Sequence, residues 1–225
     1  MPPALPAASD VVALHDRCLA DPRWPDDAVA AEVVADADAG GAGVWRWIAA
    51  NHLCNSRLWA EEDLARRTRV AAEEIALNKR RIDGFNQARN DATERVDEWL
   101  LVALGLVDEA SARTDSPLAR VPAGARLNSE TAGSMIDRLS ILALKVDAMR
   151  RQTARGDVDE AHREASAAKL ARLQEQRTDL AGCFDALLAD ALAGRAWFKV
   201  YRQFKMYNDA RFNPALVAER GAGGR

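Results

Sequence analysis

The chain is poor in the residues that build sheets, disulfide frameworks and membrane spans. Its 225 residues include three Cys, 13 Gly, 8 Pro and only 6% aromatics. Low Gly and Pro argue against an all-β sandwich, a collagen-like chain or global disorder. Cys18, Cys54 and Cys183 are far apart, odd in number and without CxxC spacing. That disfavours a disulfide framework or a zinc site on paired cysteines, and it makes a reducing cytoplasm the expected location. The longest apolar stretch, Trp99 to Val107, is about half the ~20 residues of a membrane span. Asp10, His15 and Asp16 interrupt the N-terminal apolar residues, and no Lys or Arg precedes Arg17, which makes a poor signal peptide. A Gly-rich phosphate loop, a Ser nucleophile elbow and a Cys/His dyad are also missing.

Neither sign of charge dominates. The 31 basic and 34 acidic residues leave a formal charge of −3. This disfavours a globally basic nucleic-acid binder, so no nucleic acid is expected as a partner. The distribution is uneven, however. Residues 1–38 hold eight acids against Arg17 and Arg23, a local −6, while the remainder is +3. The acidic segment reads as a solvated packing arm.

What the chain has is helix-forming residues. Ala, Leu, Arg, Glu and Asp dominate, and the apolar positions recur with helical period. Short helices are expected over about 10–20 and 26–37. After the breaker at 39–43, long helices are expected over about 44–67, 72–104, 131–155 and 157–193. Thr131 is a plausible N-cap, and Asp157-Val-Asp-Glu160 has the spacing of a capping box. Gly105 is placed as a C′ residue and Gly194 as a breaker. A last helix is expected over 195–207. The fold class is therefore all-α: a bundle of about four long antiparallel helices, with short N-terminal helices and a C-terminal helix packed on it. The domain reading is an arm over 1–43, a bundle over 44–214 and a disordered tail over 215–225. Residues 106–130 form a long loop, lid-like or disordered.

Several polar residues fall on core faces. Val44, Ile48, His52, Asn55, Trp59, Glu62 and Arg66 share one face of the first long helix. Arg89 interrupts the seam Ile82, Phe85, Ala92, Val96, Trp99, and Arg177 interrupts the seam of the fourth helix. Ser134, Arg138 and Lys145 share a face of the third. Buried charge costs several kcal/mol unless paired, so these groups either pair with one another or surround a polar ligand.

Five blocks then resemble one family. They are His52-x-x-Asn55-x-x-Leu58-Trp59-x-x-Glu62-Asp63; Lys79-Arg80-x-Ile82-Asp83-x-x-Asn86-Gln87-x-Arg89-Asn90; Gly133-Ser134-x-Ile136-Asp137-Arg138; Glu175-Gln176-Arg177; and Tyr201-Arg202-Gln203-Phe204-Lys205. Together they resemble the bacterial family of domain of unknown function 4254, over about 44–214. Ala60 stands where the pattern has His, and Ala132 and Ala210 stand where it has Pro. The resemblance implies a helical bacterial protein associated with sugar transfer and cell-envelope glycan, and no established reaction.

The expected site takes its acid–base groups from Asp83, Glu94, Asp137 and Glu62. Its ligand-binding groups are His52, Asn55, Arg66, Lys79, Arg89, Asn90, Ser134, Arg138, Lys145, Arg177 and Lys205. The free N–H groups of the helix opening at Thr131 to Ser134 suit an anion. The expected ligand is a phosphorylated sugar, nucleotide-sugar or similar anion. Alternatives are a metal-dependent phosphohydrolase using Glu94-x-x-Asp97 with Glu62 and Asp63, and a non-enzymatic partner or scaffold of a glycosyltransferase or a homo-oligomer. The sequence assigns no metal ligands outright and no cofactor.

Overall fold

The computed structural model describes residues 4–39, 43–203, 209 and 211–222. Its elements run α1 (Ala8–Ala20), α2 (Asp27–Ala39), α3 (Val44–Ala65), α4 (Ala72–Ala103), α5 (Glu109–Ala112), β1 (Arg126–Leu127), α6 (Ala132–Thr153), α7 (Glu160–Leu192), β2 (Ala196–Trp197) and α8 (Pro214–Ala222). The architecture is all-α, with one two-stranded parallel sheet. The four long helices form two hairpins, α3–α4 and α6–α7, and α6 is the helix that touches both partners of the other hairpin.

Each helix buries the face its periodicity dictates. In α1 that face is Ala8, Val11, Leu14, His15 and Cys18. In α4 it includes Ile82, Ala92, Val96 and Leu100. In α6 it includes Ile136, Leu139, Ala143 and Val146. The core closes on Phe184, Leu187 and Leu188 of α7 and on Phe198 after it.

The helix ends follow capping chemistry. Thr131 Oγ1 accepts from the Ser134 N–H at 3.1 Å. Gly105 and Gly194 adopt φ of +68° and +69° after α4 and α7, the left-handed turn that glycine makes without a Cβ penalty. The N-cap of α7 is Asp159, which accepts from the His162 N–H at 2.8 Å. The expected capping box from Asp157 does not form: the helix opens two residues later on Asp159, and Asp157 pairs with Arg155 at 2.6 Å.

Three expectations are corrected outside the bundle. The loop 106–130 is tied down: it carries α5, a bridge from Val107 to Ala119, and β1. Arg126 N donates to Arg195 O and Asn128 N to Trp197 O, each at 2.8 Å. The expected helix over 195–207 is absent through 203, and residues 204–208 lie outside the described residues. Ala196, Phe198 and Val200 are buried while Lys199 and Tyr201 are exposed. That alternation belongs to an extended chain. Finally, the expected disordered tail forms helix α8 as far as Ala222.

α4 and α6 approach closely at Gly133. A Cβ built on Gly133 would lie 2.6 Å from Thr93 O and 2.9 Å from Asp97 Cγ. Gly133→Ala is therefore expected to cost about 1–3 kcal/mol as an overpacked site, read as a fall in urea midpoint. Gly84, mid-helix in α4 with nothing within 4 Å of its Cβ position, gives the opposite result. Gly84→Ala should stabilise by about 0.5–1 kcal/mol.

Candidate functional site

From the Gly133 crossing a ridge runs down α6 as Gly133, Asp137, Ser140 and Leu144, at steps of four, three and four. It meets Thr93 and Arg89 of α4 and Asn51, His52 and Asn55 of α3. Asp137 Oδ1 accepts from Asn51 Nδ2 and from Asn55 Nδ2, each at 2.9 Å. Asn51 Nδ2 also reaches Thr93 Oγ1 at 3.1 Å. Ser140 Oγ lies 3.0 Å from Asn55 Nδ2 and 2.8 Å from His52 Nδ1. Three helices are joined by side-chain amides and hydroxyls around one carboxylate.

Arg89 enters this network from α4. Its Nε is 3.9 Å from Asp137 Oδ1, too long for a hydrogen bond. That Nε is buried and has no hydrogen-bond partner. Beside it opens a pocket of about 320 Å³ lined by Asn55, Trp59, Glu62, Asp63, Arg66 and Arg89 among others. Glu62 and Arg66 of the lining pair at 3.2 Å, and Trp59, also on the lining, is 38% exposed.

The structure thus brings Asn55, Glu62, Arg66 and Arg89 to one pocket with Asp137 behind it. The other expected residues lie elsewhere. Lys79 and Asp83 form an exposed pair one turn apart. Arg177 ties α7 to Asp16 of α1 at 2.7 Å. Arg138 pairs with Glu130, and with Lys145 it lines a neighbouring hollow between α6 and α7. Asn90 donates to Gln203 Oε1 at 2.8 Å. Glu94 and the buried Glu98 hold Arg202 at 2.9 and 2.5 Å. Breaking such a triad typically costs ~3–5 kcal/mol, so Glu94 is committed to fastening the C-terminal segment. Lys205 lies outside the described residues.

Two functional expectations change. Two of the N–H groups opening α6 are not free for an anion: Gly133 N donates to Asp97 Oδ1 at 2.6 Å, and Ser134 N to Thr131 Oγ1. The metal reading also loses its ligand set. Among the described residues no group of three His, Cys, Asp or Glu side chains is placed to hold a metal ion, because Glu94 turns to Arg202 and Asp97 to α6.

His52 is closed off from the pocket. It is fully buried, its ring stacked on His15 at 4.4 Å and on Trp24 at 5.6 Å. Burial pushes the His52 imidazole down to about 3 and holds His15 well below the usual histidine range. Burial likewise lifts the Cys18 and Cys54 thiols to about 11, so neither is a ready nucleophile. His15, Trp24 and Asn51 are the residues that sequence reasoning missed. Asn51 carried a signal, since it stands four residues before Asn55 on the same face. His15 and Trp24 lie in the arm read as solvated.

The family model described as protein of unknown function (DUF4254) matches residues 45–200. The chain belongs to this family. No curated protein and no solved structure matches it. The DUF4254 match spans α3 to β2, so it contains all the pocket residues, while α1 and α2, with His15 and Trp24, precede it.

Opposite pH dependences follow from the buried groups. The two imidazoles are neutral in the fold but take up protons when unfolded, so they destabilise the protein as pH falls below about 6.5. Asp97, pushed up to about 7 mainly by burial, binds its proton more tightly in the fold. Its contribution is present at low pH and lost as pH rises through 7. In urea titrations, His15→Leu should flatten the loss of stability on acidification. Asp97→Asn should gain on the wild type as pH rises from about 4 to 7, then level off.

Proposed function

We propose that the α3–α4–α6 pocket binds a small polar anion: a phosphorylated sugar, a nucleotide-sugar or a close analogue used in glycan metabolism. The observation that carries this reading is Arg89. Its Nε is buried without a partner, its side chain belongs to the pocket lining, and a buried donor left unmade costs about 1–3 kcal/mol or more when charged. A phosphoryl oxygen that turns the guanidinium toward the pocket removes that cost, and a guanidinium fork suits it.

The rest of the lining fits the remainder of such a ligand. Arg66 adds a second cation at the rim, Glu62 and Asp63 offer acceptors for hydroxyls, and the exposed Trp59 face suits the apolar side of a sugar ring. Asp137 is a positioning residue here, orienting Asn55 and Arg89 from behind. Glu62, of the four expected acid–base groups, is the one on the lining.

Calorimetric titration with inorganic phosphate, glucose 1-phosphate and UDP-glucose tests the reading. At least one is expected to bind, and Arg89→Met should weaken it at least about tenfold with helicity and melting temperature nearly unchanged. Absence of binding by all three at millimolar concentration, or equal affinity of Arg89→Met, overturns it.

A further inference from the structure

The bundle is open on one side. α1 covers the second half of α7, where Asp16 meets Arg177 and Asp185 accepts from the Ala8 N–H at 2.9 Å. The first half of α7 has no such cover. Before Asp179 its only buried residue is Ser166. Between this half, α6 and the end of α3 lies a groove of about 740 Å³, with Trp59, Ala148, Met149, Ala165, Ala168 and Leu173 in its lining. That volume is in the range of small-molecule sites.

The same groove is edged by Lys145, Lys169 and Arg172. None of the three has a carboxylate partner among the described residues, although most arginines on neighbouring faces do, as Arg151 with Asp147 at 2.8 Å. An apolar floor with unpaired cations on its edge matches an amphiphile of negative charge. It does not match a second copy of this face, since a two-fold pairing would set the cationic edges against each other. Trp59 also lines the polar pocket, so the two hollows share one wall.

We propose that this groove binds a long-chain alkyl phosphate, with its hydrocarbon chain along α6 and α7 and its phosphate on Lys145, Lys169 and Arg172. The inference stands apart from the reading of the Arg89 pocket, because its ligand class and its residues are different.

The test is equilibrium binding of dodecyl phosphate to the full chain below the micelle threshold, beside dodecyl maltoside and inorganic phosphate. Dodecyl phosphate is expected to bind at least about tenfold tighter than either. Ala168→Trp, an exposed position that fills the groove, should weaken it by a similar factor. The double variant Lys145→Glu, Lys169→Glu should remove its advantage over the maltoside. Arg89→Met should leave dodecyl phosphate unaffected, and Ala168→Trp should leave the sugar-phosphate titration unaffected, so the two readings fail separately. Equal binding of both dodecyl heads, indifference to Ala168→Trp, or loss in Arg89→Met overturns the proposal. So does sedimentation showing a dimer that Ala168→Trp dissociates, since the face then belongs to a second copy.

Discussion

The close approach of α4 and α6 at Gly133 is the constraint on which the rest depends. With no Cβ there, the α6 backbone comes against Thr93 O, and its N–H reaches the Asp97 carboxylate. That contact fixes the register of α6. One turn on, Asp137 falls opposite Asn51, Asn55 and Arg89, and Ser140 falls opposite His52. A helix held further away would leave each of these groups buried and short of a partner, which costs about 1–3 kcal/mol apiece.

A polar seam inside a bundle is tolerated because almost all of it is paired. Asp137 Oδ1 accepts from two side-chain amides, with the Arg89 guanidinium at longer, ion-pair distance. Amides and hydroxyls carry lower desolvation costs than charges. The Nε2 of His52 and the Nε of Arg89 are the exceptions, and Arg89 is drawn toward Asp137 without a hydrogen bond to it. A purely structural network would gain by closing that 3.9 Å gap.

Much of this was legible in the sequence. The four long helices, their caps at Thr131 and the glycines at 105 and 194 follow from local chemistry, and so did the polar residues on core faces. Partner choice was less legible, because it depends on which face meets which. Arg89 and Glu94 both read as site residues; α6 claims one and the C-terminal segment the other. The extended run after α7 was masked by its composition. Phe198 and Val200 alternate with Lys199 and Tyr201 in a period of two, but without the β1 edge to pair with, the segment reads equally as helix. The acidic arm misled for a different reason: Asp16 and Asp27 reach Arg177 and Arg57, while His15 and Trp24 of the same arm pack over His52.

That arm also explains where the charge imbalance ends. Two of its acids, Asp16 and Asp27, neutralise cations where α1 and α2 lie, on the second half of α7 and at Arg57. α1 is 13 residues long against 33 for α7, so it stops short of the first half. Lys145, Lys169 and Arg172 therefore stay unpaired beside an uncovered apolar floor. The formal −3 of the chain hides two opposite surfaces. One is acidic and partly paired with the bundle through Asp16 and Asp27. The other is basic, and its charges are left available at short range, where screening by salt is weakest.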